Sequence, residues 1–97
     1  MIFKLSHLKR TLYDIARKGG YVPMGTTDRG ELNCVRRLGG DYPRFHLYLS
    51  EAGDIITFSL HLDQRKPVYK GVTAHGGEYE GELVEEEAER IKDIVLG

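Results

Sequence analysis

The strongest constraint on what this chain can fold into is residues 43–63, PRFHLYLSEAGDIITFSLHLD, where apolar and polar side chains alternate on both sides of a glycine-containing connection. Phe45, Leu47 and Leu49 fall on one face of the first run, and Ile56, Phe58, Leu60 and Leu62 on one face of the second. A period of two with one apolar face is the signature of a half-buried strand, and two such runs so close together predict an antiparallel hairpin. With 51–54 as the connection, Ser50 faces Ile55, Leu49 faces Ile56, Leu47 faces Phe58 and Phe45 faces Leu60. The opposite side then stacks Tyr48 on Thr57, His46 on Ser59 and Arg44 on His61, with the two imidazoles as diagonal neighbours roughly 7–8 Å apart. A slip by one residue would drive His46 and Tyr48 into the apolar row, so the buried face specifies which side chains lie together.

The flanking segments extend this unit. Residues 31–38 read as a strand that returns through Gly39-Gly40-Asp41-Tyr42. Pairing Leu38 with Pro43 sets Leu32 against Leu49 and Cys34 against Leu47 on the apolar side, and Asn33 near Tyr48, Val35 near His46 and Arg37 near Arg44 on the other. Arg36 falls on the covered face, where its long stem can reach the sheet end or a bulge by the diglycine can turn it out. Leu5, Leu8, Leu12, Ile15 and Ala16 form a helical stripe, with Ser6 as a capping residue and Gly19-Gly20 as the exit, and predict a helix over 7–18. Residues 20–30 read as a loop. Residues 63–81 hold a proline and four glycines without period and read as a long surface excursion, with Tyr69, His75 and Tyr79 favouring docking over disorder. A closing helix over 82–96 carries Val84, Ala88, Ile91 and Val95 on one stripe, acidic residues in its first turns, and Glu86 spaced to pair with Arg90.

The expected fold is therefore α+β: one domain over 1–97, two layers, two helices on one face of a three-stranded antiparallel meander in the order αβββα. Ninety-seven residues suffice for one independent core. The single cysteine excludes an internal disulfide and a multi-cysteine zinc ribbon, and Cys34 reads as a buried strand residue. MIFKL is too short for a signal-peptide core, and no stretch approaches the ~20 apolar residues of a membrane span, so a cytoplasmic protein with no membrane partner is expected. Residues 1–50 hold nine Lys/Arg against four Asp/Glu and residues 51–97 five against eleven. The basic half favours an anionic partner, while a pI near 6.4 argues against indiscriminate coating of nucleic acid.

No phosphate-binding glycine loop, dinucleotide fingerprint, nucleophile elbow or HExxH is present, so no cofactor is implied. What remains is the polar sheet face. It reads as an RNA- or phosphate-ligand-binding face, with Arg37 and Arg44 as phosphate contacts and Tyr48, Ser59 and His75 completing the ligand-binding set; the same face can bind RNA without cutting it or, with His46 and His61 as the candidate acid-base pair, cleave it without a metal. Two alternatives stay open. His46, His61, Asp63, His75 and Glu78 are potential ligands of one metal ion, although no pre-organising HxH spacing occurs. A non-enzymatic interaction module would instead use the open face or an edge strand, with Tyr42, Arg44, Tyr48 and Tyr69 at the interface. Oligomeric state is not set by any of these features.

The amphipathic helix ending in Lys18-Gly19-Gly20-Tyr21, the strand holding His46, the Glu51-Ala52-Gly53-Asp54 turn and the Ile55-Ile56-Thr57 strand resemble the layout of HicA-type RNA-targeting toxins and of double-stranded-RNA-binding domains. The resemblance implies a small RNA-binding protein. The glycine-serine-histidine motif that HicA proteins carry early in the sheet is absent here.

Overall fold

The structure is a computed structural model that describes residues 1–65, 77–78 and 81–97. Strand β1 (Ile2–Ser6) leads into helix α1 (Leu12–Lys18), then β2 (Val22–Thr26), β3 (Leu32–Arg37), β4 (Arg44–Ala52), β5 (Ile55–Asp63), the two-residue β6 (Gly77–Glu78) and helix α2 (Glu82–Leu96). The strands form one antiparallel sheet in the order β1-β5-β4-β3-β2, with β6 also paired to β5. The α+β class and the central β3-β4-β5 meander are as expected, but the sheet is wider than three strands.

Two elements correct the sequence reading. The first is β1, which occupies residues expected to lead directly into a helix. Phe3 and Leu5 alternate with Ile2, Lys4 and Ser6, and pairing with β5 sets Phe3 against Phe58 with stacked rings 4.7 Å apart. The strand ends where His7 takes a left-handed backbone (φ 60°) and donates its N–H to the Asp54 carbonyl. The helix starts only after Thr11, whose hydroxyl accepts from the Asp14 N–H, so Thr11 and not Ser6 is the cap. Leu5, Leu8 and Leu12 mimic a helical stripe because an extended residue, a connector and a helix all turn toward the same core. The second is β2, in residues expected to be a loop. Pro23 lies in this edge strand, where proline is tolerated, and the register shifts between Pro23 and Gly25.

Both helices cover the face formed by Leu32, Cys34, Leu47, Leu49, Ile56, Phe58 and Leu60. Val84, Ala88, Ile91 and Val95 of α2 are buried against it as the stripe predicts. Each large side chain fully withdrawn from water there contributes about 1.5–3 kcal/mol. Cys34 is part of this core, its thiol donating to the Leu47 carbonyl and pushed up to about 12 by burial. Helix α1 exits through Gly20 at φ +84°, with the Tyr21 N–H bonded back to the Ala16 carbonyl.

Arg36 stays on the covered face and forks onto the Glu87 carboxylate through Nε (3.0 Å) and Nη2 (2.8 Å). Arg90 pairs with Glu87 as well, rather than with Glu86, and its Nη2 reaches the Gly19 carbonyl at 2.6 Å. Tyr21 donates its hydroxyl to the same carboxylate. Glu87 is only 3% exposed, so this cluster is a polar knot inside the apolar layer that ties α2 to β3 and to the end of α1.

Candidate functional site

The β3–β4 register is the expected one throughout, from Leu32 opposite Leu49 to Arg37 opposite Arg44. The β4–β5 register differs by two residues. Strand β4 runs two residues further toward the turn, to Ala52, while β5 begins at Ile55 as expected, leaving Gly53 and Asp54 as the whole connection. Gly53 has φ +63°, which suits a two-residue hairpin turn with glycine at its first central position. A shift of two keeps every side chain on its expected face but changes its neighbour. His46 now stands directly opposite His61, and Arg44 opposite Asp63.

These four residues form a two-by-two block on the face away from the helices, and the Asp63 carboxylate is its hub. Asp63 Oδ2 lies 2.9 Å from His46 Nδ1 and accepts from Arg44 Nε at 3.3 Å, while Oδ1 lies 2.9 Å from His61 Nε2. The imidazole centroids are 4.8 Å apart, and the Tyr48 ring stacks on His46 at 4.7 Å. On the far side of His46, Nε2 donates to the Asn33 side-chain carbonyl on β3. Arg44 lies over the Tyr42 ring, 4.7 Å from its centroid. The side chains of His46 and His61 are 12% exposed, that of Asp63 15% and that of Arg44 18%, so this is a recessed polar cluster and not a solvated strip.

The electrostatics follow from that geometry. Burial by itself acts to raise the Asp63 pKa, but the His46 hydrogen bond, the electrostatic influence of the two imidazoles and the Arg44 hydrogen bond outweigh it and hold the carboxyl below its usual range. For His61 burial is the largest influence and lowers the pKa; Asp63 opposes it and His46 reinforces it, leaving the ring favoured as neutral imidazole.

The remaining sequence-derived candidates divide. Arg37 faces Arg44 in register, but its side chain leans toward Asp41 at 3.8 Å and stands outside the cluster. Ser59 sits opposite Tyr48, two residues along β5 from His61. His75, with Tyr69 and Tyr79, lies outside the described residues, and Glu78 enters only as a β6 position paired with Leu62. Asn33 is given no functional role by the sequence, and Tyr42 only that of an aromatic at a protein interface. Asn33 carried a usable signal, since the β3–β4 register makes it a diagonal neighbour of His46. For Tyr42 no periodic signal places its ring under Arg44, because it precedes the strand.

Among the described residues His46, His61 and Asp63 are the group whose donor atoms converge, all lying within 4.8 Å of one another. Atoms bound to a single ion at ~2.0–2.2 Å lie roughly 3.3–4.4 Å apart, so small side-chain rotations bring these three into range. No family model, no curated protein and no solved structure matches the chain.

Proposed function

We propose that this protein is a mononuclear metal-binding domain that takes a divalent first-row transition ion on His46, His61 and Asp63. The observation that carries the reading is the convergence of two imidazoles and one carboxylate within 4.8 Å on adjacent strands of a rigid sheet. Two imidazoles with one carboxylate suit zinc, iron(II), cobalt or nickel better than magnesium or calcium, which prefer all-oxygen shells. Asn33 adds the outer partner such a site needs. By accepting from Nε2 it orients the His46 ring and leaves Nδ1 as the nitrogen directed at the cluster.

Protein stripped with EDTA and titrated with zinc by calorimetry is expected to bind one ion per chain. His46→Ala, His61→Ala and Asp63→Asn should each abolish stoichiometric binding, Asn33→Ala should weaken it about 10–100-fold, and Ser50→Ala on the same face should leave it intact. Zinc uptake that survives loss of both imidazoles, or no saturable uptake at all, would sink the reading.

A second reading keeps the site metal-free and gives the same face to an RNA phosphodiester, with His46 and His61 as acid and base and Arg37 and Arg44 as anion contacts. It is favoured by the Tyr48 ring stacked on His46 and by the guanidinium of Arg44 on the same carboxylate as His46. It expects cleavage of single-stranded RNA in excess EDTA, lost in His61→Ala. Cleavage only without chelator, or none, removes it.

A further inference from the structure

We infer that the metal centre, if loaded as proposed above, is completed by an oxyanion of the phosphate class held jointly by the ion and by Arg44. The first argument is charge. Two neutral imidazoles, one carboxylate, one guanidinium and a divalent ion sum to +2, in a cluster whose side chains are 12–18% exposed. Uncompensated charge in so recessed a place is expensive, and an anion relieves it.

The second argument is geometry. Three protein ligands leave at least one coordination position open. Arg44 is already oriented: its Nε is bonded to Asp63 Oδ2 at 3.3 Å and its plane rests on Tyr42. The bond to Asp63 engages Nε, and the guanidinium carries two Nη groups besides it for the parallel N–H···O pair with which arginine recognises phosphate. Chain order makes the arrangement coherent, since Arg44 and Asp63 are paired across β4 and β5 and the anion site is built on the same two strands as the ion site.

The third argument makes the binding conditional. Without an ion, the Arg44 Nε and both imidazoles are spent on Asp63, which occupies the place of an anion in its own cluster. A divalent ion changes the sign of the site by taking the carboxylate as its ligand. Anion binding is therefore metal-dependent.

Cobalt-loaded protein carries the test, because its visible absorption reports the ion's ligands directly. Inorganic phosphate is expected to change the cobalt spectrum saturably, and calorimetry should give phosphate binding to the loaded protein at least tenfold tighter than to the EDTA-treated protein. Arg44→Gln should weaken phosphate at least tenfold while cobalt stoichiometry stays at one, and Arg44→Lys should recover only part of the loss. Phenyl phosphate and a short oligouridylate, run as competitors, separate a phosphomonoester from a phosphodiester source, and displacement by either supports the class. A cobalt spectrum unmoved by phosphate, equal affinity with and without the ion, or an unchanged Arg44→Gln variant overturns the inference and leaves the metal reading standing. Absence of cobalt binding overturns both.

Discussion

At the scale of single residues, Glu87 shows how much one polar side chain can settle. It looks like a member of an acidic run supporting a helix, yet it is the buried acceptor for Arg36, Arg90 and Tyr21. Burial alone would raise its pKa, but the hydrogen bonds from Arg90, Arg36 and Tyr21 and the charge of Arg36 outweigh that and hold it below the usual range. Tyr21 moves the other way: burial first, then the adjacent Glu87 charge, push its phenol up, so it stays a donor. A depressed folded-state pKa gives stability that is complete above the unfolded value of ~4.3 and is lost as pH falls through the folded value. Unfolding free energy measured in urea from pH 6 down to pH 2 should therefore fall in the acid range, and Glu87→Gln should flatten that slope. Glu87→Ala, which strands Arg36 and the Tyr21 hydroxyl at the edge of the core, should cost about 3 kcal/mol at pH 7. An acid slope unchanged in Glu87→Gln would mean that the knot contributes nothing to the pH dependence.

At the scale of elements, the β4–β5 hairpin and β1 decide what the site is. Periodicity sorted the side chains of both hairpin strands to the correct faces, because alternation is insensitive to a shift of two. The register itself was set by the turn: Gly53 accepts a positive φ and closes the hairpin in two residues, which brings His46 opposite His61 instead of Ser59. Strand β1 was hidden for a different reason. Five residues are too few for a period to stand out, and their two inward side chains continue a stripe that a helix would also produce. Phe3→Ala in edge strand β1 removes a ring stacked on the fully buried Phe58 and should lower stability by about 2 kcal/mol. An effect under ~0.5 kcal/mol, the usual range for an exposed residue, would argue against that pairing.

At the scale of the whole molecule, the sheet separates two tasks. One face, sealed by α1 and α2, supplies the apolar burial that holds the fold; the other carries a recessed cluster of ionisable groups. No helix among the described residues is long and apolar enough to cross a membrane. A ligand that binds only the folded state raises stability by mass action, so zinc at a hundred times its dissociation constant should add about 2.7 kcal/mol. For a domain of this size that corresponds to a melting temperature higher by very roughly 10–20 °C, and Asp63→Asn should erase the difference; a wild-type melting curve indifferent to zinc would contradict the proposed centre. The sequence by itself determined the α+β class, the closing helix, the inward set of the central strands, the β3–β4 register and the burial of Cys34, because all of these follow from local period and from the cost of exposing an apolar face. Only the tertiary structure decided that Asp63 is the hub of the cluster, that Asn33 orients His46, and that Arg36 is satisfied by a residue 51 positions away. The Asp63 hub depends on a turn two residues long and the Arg36 pair on where a helix lands across a sheet, and the apolar period specifies neither. The Asn33 contact follows the β3–β4 register but becomes a hydrogen bond only between folded side chains.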